Sequence, residues 1–208
     1  MTPTLEGMAK TIIDRADGAG RFVVAVAGPP GAGKSTLADR LAETLRTLGE
    51  TAEVLPMDGF HMDNAILIDR GLLARKGTPE TFDVRGFLDI VHAIKRADQE
   101  VLVPVFDRSR EIAIASARVV SPDHRFIIAE GNYLLLNQGK WAELEDLFDF
   151  AIMLAPPIPV LEERLWARWR GYQLSEEAAR AKVYENDLPN GRFILENRRR
   201  ADVTLEIV

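Results

Sequence analysis

The sequence predicts an α/β fold built on a mostly parallel sheet. Short apolar runs rich in valine and isoleucine alternate with amphipathic stretches of helical period, the pattern of strands covered on both faces by helices. A glycine-rich segment joins the first apolar run to the first long helix. With 208 residues the chain suffices for one domain carrying a small mobile part, and about 70% of its unfolded surface is buried on folding without a covalent staple.

Each element follows from local pattern. Residues 4–16 place Leu5, Met8, Ile12 and Ile13 at helical spacing. "RFVVAVAG" is continuously apolar and too short for a typical helix, so it reads as a buried strand. "STLADRLAETLRTLG" carries Leu37, Leu41 and Leu45 on one face and stops at Gly49, a helix with its terminator. "TAEVLPM" is a second strand. Residues 64–75 and 85–97 read as helices divided by "KGTPETFD". "VLVPVF" is a strand whose proline implies an edge or an end, and the alternating "EIAIASARVV" suits a hairpin with its neighbours. "RFIIAEGN" and "DFAIMLAP" are buried strands separated by "WAELEDLF". Residues 158–171 and 175–185 are helices, and "ADVTLEIV" is a last strand. With neither repeats nor a low-complexity linker, residues 1–208 are expected to form one domain.

Composition narrows the function. The chain has no cysteine, which removes disulfides, thiolate metal sites and cysteine nucleophiles and fits a reducing cytosol. A formal net charge of −6 argues against general nucleic-acid binding. The N-terminal stretch lacks the apolar core of a secretory signal, and no apolar run approaches the ~20 residues that span a bilayer. A cytoplasmic location is the expectation.

"GPPGAGKST" satisfies G-x-x-x-x-G-K-[ST] at Gly28, Gly33, Lys34 and Ser35, with a strand before it and a helix after it. In such a loop the backbone from Gly28 through Pro29, Pro30, Gly31, Ala32 and Gly33 to Thr36 cradles phosphates with its N–H groups. Lys34 neutralises the β- and γ-phosphates, and the Ser35 hydroxyl binds Mg²⁺. This is the signature of a nucleoside triphosphate site. The guanine-reading N-K-x-D motif is absent, which weakens a GTPase reading, and ATP is the expected nucleotide.

Two acids end buried strands. Asp58 closes "TAEVLPMD" and suits a general base for an acceptor hydroxyl, although Asp58-Gly59 also has the chemistry of a turn. Glu130 closes "RFIIAEG" and suits a Mg²⁺ ligand or a group orienting the attacking oxygen; a helix cap or a solvated turn is the simpler use. Strand ends in a parallel sheet form the rim of the ligand crevice. "LEERLWARWRG" puts Arg164 and Arg168 on one helical face, where a closing lid could bring them to the transferred phosphoryl group, or where they could be plain surface. His61 suits either a substrate contact or structure, whereas His92 and His124 are expected to be without function. Arg198, Arg199 and Arg200 admit several uses and decide nothing. Two readings follow: an ATP- and Mg²⁺-dependent small-molecule kinase, or a nucleotide-binding regulatory sensor without an acceptor.

These residues resemble the P-loop kinases that include uridine kinase, type I pantothenate kinase and phosphoribulokinase. "GPPGAGKST" is the shared loop, and "MDGFH" is similar to the family motif whose aspartate is the base, here Asp58. "RKGTPETFD" resembles a pantothenate kinase segment and brings in Lys76, Gly77, Pro79, Glu80, Phe82 and Asp83. "VPVFDRS" is similar to the acceptor segment, with Phe106 in place of tyrosine, and Asp107 and Arg108 following. "IIAEGNYLL" resembles the motif around Glu130, "ERLWARWRG" the lid, and "ENDLPNGRFI" a stretch that puts Asn186 and Asn190 near the acceptor. The chain departs at Arg108, where the resemblance would place histidine, so neither pantothenate nor uridine carries over cleanly as acceptor. Overall it most resembles small bacterial kinases called fructose transport system kinases, whose name suggests a sugar-like alcohol. The resemblance implies a three-layer P-loop hydrolase/kinase fold with a mostly parallel five-stranded core sheet, an acceptor-binding insertion at about 58–120 and a helical lid at about 160–190. It implies substrate contacts at His61, Lys76, Glu80, Phe82, Phe106, Arg108 and Asn190. The expected partner is a small-molecule alcohol, with neither nucleic acid nor membrane, and a homodimer stays open.

Overall fold

The computed structural model describes residues 4–172 and 174–206. In chain order the elements are α1 (Leu5–Arg15), β1 (Phe22–Ala27), α2 (Lys34–Thr47), β2 (Ala52–Pro56), α3 (Asn64–Asp69), α4 (Val84–Arg96), β3 (Val101–Asp107), β4 (Ile112–Val120) and β5 (Phe126–Gly131). They continue with β6 (Phe150–Leu154), α5 (Ile158–Gly171), α6 (Glu176–Ala181), α7 (Leu188–Glu196) and β7 (Val203–Leu205).

Five parallel strands form one sheet in the order β2-β5-β1-β6-β7. The two faces of β1 explain its unbroken apolar sequence. Val23, Ala25 and Ala27 enter a core with Phe87, Leu88, Val91 and Ile94 of α4. Phe22, Val24 and Val26 enter a second core with Ile12 of α1 and Leu41 and Leu45 of α2. Helices on both faces make three layers, as period-2 side chains in a doubly covered strand demand. Each fully buried leucine contributes roughly 1.5–3 kcal/mol, and Leu41 and Leu45 are both 0% exposed.

β3 and β4 form a separate antiparallel pair whose register shifts between Val103 and Val105. Pro104 sits at that irregularity, where its missing N–H breaks no ladder bond. The helix expected over 64–75 is shorter. α3 ends at Asp69 because Gly71 turns through φ 66°, and a 3-10 turn over Leu73–Arg75 follows. The helix expected over 175–185 is also divided, with α6 giving way to a π-helical turn at Lys182–Asp187. α7, which the sequence pattern does not reveal, then begins with Pro189 in its first turn, a position that needs no N–H. No helix among the described residues is long and apolar enough to cross a membrane.

Candidate active site

Three neighbouring strand ends build the site. Val26 and Pro56 are both register partners of Glu130, so β1, β5 and β2 finish level with one another. The glycine-rich loop leaves β1, Asp58 lies just past the end of β2, and Glu130 is the penultimate residue of β5.

The loop passes through left-handed φ at Gly31 (79°) and Gly33 (90°), conformations that side chains strain. Gly33 caps α2 without a side-chain hydrogen bond, which leaves the first helical N–H groups for an external acceptor. A Cβ at Gly33 would meet nothing within 4 Å, so the cradle is open there, whereas at Gly28 it would strike the Leu154 carbonyl at 2.7 Å. The ammonium of Lys34 donates to the Pro29 carbonyl at 3.0 Å. Loss of water around it lowers its pKa to about 8, while Glu130 and Asp58 pull the other way. These features fit a polyphosphate.

Asp58 stands in a 3-10 turn over Met57–Phe60, so the turn and the presented carboxylate are one feature. Packing requires the glycine beside each acid. A Cβ on Gly59 would overlap the Pro104 carbonyl of β3, and one on Gly131 would overlap the side chain of Met57. Asp58 Oδ2 accepts from Arg108 Nη2 in an ion pair. Glu130 is buried, and burial first, then the Asp58 charge, raises its pKa to about 7. Among the described residues no three His, Cys, Asp or Glu side chains gather into a metal cage. Ser35 and Glu130 instead offer a few hard oxygens on one wall, which suits Mg²⁺ that keeps waters and phosphate oxygens as its other ligands.

The cavity they line has a volume of about 290 Å³. His61 forms part of its wall, with its ring 4.0 Å from that of Phe82 and 4.6 Å from that of Phe106, and its Nδ1 lies 2.8 Å from the Asp58 carbonyl. Burial lowers the His61 pKa, which keeps the ring neutral near pH 7. Opposite, the π-helical turn contributes Asn186, whose Nδ2 donates to the Lys76 carbonyl at 3.2 Å, and Asp187, which accepts from Trp169 Nε1 at 2.7 Å. Asp187 is buried, and that burial raises its pKa.

Among the residues singled out from sequence, the wall holds Pro30, Gly31, Gly33, Lys34, Ser35, Thr36, Asp58, Glu130 and Arg168, together with His61, Lys76, Gly77, Phe106, Arg108, Asn186 and Asn190. Gly28, Pro29 and Ala32 belong to the loop without lining the cavity. Arg164 does not line it either, since it lies one turn nearer the start of α5 than Arg168. Glu80 is exposed away from the wall, and Phe82 is buried behind His61. Sequence reasoning missed Glu111, Asn132, Trp169, Lys182 and Asp187. The one available signal was an acid inside "ENDLPN", next to the asparagine already noted.

Fold and site together define a P-loop phosphotransferase. Comparison with known proteins agrees. A solved structure from Silicibacter sp. TM1040, provisionally called a fructose transport system kinase, is 47% identical, covers 97% of this chain and 98% of its own, and superimposes with a TM-score of 0.91. YggC of Escherichia coli strain K12 is 37% identical over 90% of this chain and 78% of its own length. C227.14 of Schizosaccharomyces pombe, provisionally named a uridine kinase, is 33% identical over 89% and 83%. The chain belongs to the P-loop small-molecule kinase family of these proteins, phosphotransferases with an alcohol group as acceptor. It spans less than half of the pantothenate kinase of Leifsonia xyli subsp. xyli, which is 38% identical over 135 residues, 63% of this chain and 42% of that protein. A model described as methylmalonyl Co-A mutase-associated GTPase MeaB matches residues 2–87, the part containing the phosphate loop and Asp58.

Proposed function

We propose that the chain transfers the γ-phosphoryl group of ATP to the hydroxyl of a small alcohol, with Mg²⁺ as the accompanying cation. The observation that carries this reading is the meeting of the phosphate loop, Lys34 and Asp58 in one cavity. Bound ATP with Mg²⁺ would supply the phosphoryl group and the divalent charge that offsets its oxygens. The backbone from Gly28 to Thr36 would hold the phosphates, and Ser35 with Glu130 would hold the cation. Lys34, steadied by the Pro29 carbonyl, offsets charge on the transferred group, and Arg168 adds a second cation. Asp58 accepts or orients the acceptor's hydroxyl proton, in a turn locked by the contact of Gly59 with β3.

Residues 58–120 supply the acceptor side in this reading, with His61, Lys76, Phe106 and Arg108 facing the alcohol and Asn190 closing over it. Residues 160–190 act as the lid. The acceptor is a sugar, a nucleoside or a pantothenate-like alcohol. A screen of such alcohols with γ-labelled ATP tests this reading, which expects label in at least one of them. Slow ATP hydrolysis that no alcohol alters would overturn it in favour of a nucleotide sensor.

A further inference from the structure

The site contains a pairing that phosphoryl transfer does not require. Arg108 Nη2 is bonded to Asp58 Oδ2, so a guanidinium occupies the carboxylate assigned to the acceptor hydroxyl. The contact is built in. Arg108 directly follows β3, whose Pro104 carbonyl lies against Gly59, and this anchors the hairpin beside Asp58. Other charges of the hairpin tip have their own partners. Asp107 accepts from Ser109 Oγ at 2.6 Å and from Arg110 Nε at 2.7 Å, and Glu111 lies 3.5 Å from Lys76 Nζ. Arg108 is the tip residue paired with Asp58, and its side chain is 49% exposed against 20% for Asp58, so its head can exchange partners.

A second cation shares this wall. Lys76 is 12% exposed and its Nζ stands 5.1 Å from the centroid of the Phe106 ring, next to His61. Its ammonium is held by Asn64 Oδ1 at 2.8 Å and by Glu111, so Arg108 is the cation on this side whose partner is the carboxylate assigned to the hydroxyl.

We propose that the acceptor is an anionic alcohol, bearing a carboxylate or a phosphate, and that Arg108 reads this group by exchanging Asp58 for it. The proposal rests on the kinase reading above and names its substrate class. A neutral alcohol gives the guanidinium no equivalent partner, so Arg108 stays on Asp58 and occupies its Oδ2. An anion presents the fork with two oxygens in the geometry it prefers. Binding of the anion and release of Asp58 then become one event, and a neutral analogue is rejected because it leaves the base occupied.

The test uses matched pairs: D-glycerate against glycerol, gluconate against glucitol, and ribose 5-phosphate against ribose. Their binding to the full chain loaded with a non-hydrolysable ATP analogue and Mg²⁺ is measured by calorimetry, and their phosphorylation with ATP. At least one anion should bind 10-fold or more tightly than its neutral partner, and the carboxylate and phosphate arms identify which group is read. Arg108→Ala should weaken that binding by roughly 10- to 100-fold and leave affinity for the ATP analogue unchanged, with Arg108→Gln behaving alike. Asp58→Asn should bind the anion several-fold more tightly, because Arg108 loses its internal competitor, an effect that a merely structural arginine does not produce. Anion binding that depends on Arg108 without any transfer leaves Arg108 as the reader of an anion but overturns the kinase reading, and with it the anion's place as acceptor. Equal use of neutral partners upholds the kinase and overturns the inference. Absence of binding by every anion, or a loss of ATP-analogue affinity in Arg108→Ala, also overturns it.

Discussion

Glu130 and Asp58 are neighbours across two parallel strands: Glu130 is level with Pro56, and Asp58 follows two residues later. The Asp58 charge, after burial, helps raise the pKa of Glu130. In the proposed reaction Glu130 serves the cation and Asp58 the hydroxyl.

Replacing Asp58 by asparagine keeps the turn and removes the proposed base. Transfer to the acceptor should fall by about 10²–10⁴-fold, while affinity for ATP is nearly unchanged. Single-turnover rates beside nucleotide titrations check this, and surviving transfer would assign the base elsewhere.

Glu130 gives a stability signature. Its pKa is about 7 in the folded chain against 4.5 for a free carboxyl, so between these values the folded state holds more protons than the unfolded one. Stability from this group is therefore present at low pH and lost as pH rises towards 7. Glu130→Gln should be more stable than the parent at pH 8, by something on the order of 2 kcal/mol, and show little gain near pH 4.5. Urea unfolding at the two pH values measures it. The same variant should bind Mg²⁺ more weakly in the presence of ATP.

Two arginines of α5 should differ. Arg168 lines the cavity and Arg164 does not. Arg168→Ala is expected to reduce kcat by about 10²-fold or more, whereas Arg164→Ala changes it less than a few-fold. Equal losses in steady-state assays would show that Arg164 reaches the phosphates during turnover.

Gly59 is a packing test. A methyl group there overlaps the Pro104 carbonyl, which cannot rotate away as a side chain could. Gly59→Ala should destabilise the chain by roughly 1–3 kcal/mol and disturb transfer through Asp58. The midpoint of denaturant unfolding reads the first effect, and an unchanged midpoint would mean that β3 yields freely.

Much of the site could be read from the chain alone because its signals are local. Gly31 and Gly33 are needed where φ is positive, Lys34 follows at a fixed offset, and Asp58 and Glu130 each end an apolar run. The pattern failed where distant contacts decide. The helix over 64–75 gave way at Gly71, which periodicity alone tolerates. Asp187 escaped notice because its burial depends on Trp169, from another helix. Arg164 and Arg168 looked equivalent because a common helix face does not say how far along the axis the cavity extends.

The sequence by itself determined the phosphate loop, the alternation of strands and helices, and an acid at the end of each of two strands. These depend on backbone sterics and hydrophobic period, which act over a few residues. The tertiary structure alone decided that β5 lies between β1 and β2, which brings Glu130 and Asp58 to one rim beside Lys34. It also decided that Arg108 rests on Asp58. Strand order and ion-pair choice arise from packing between segments far apart in the chain, and no local pattern records them.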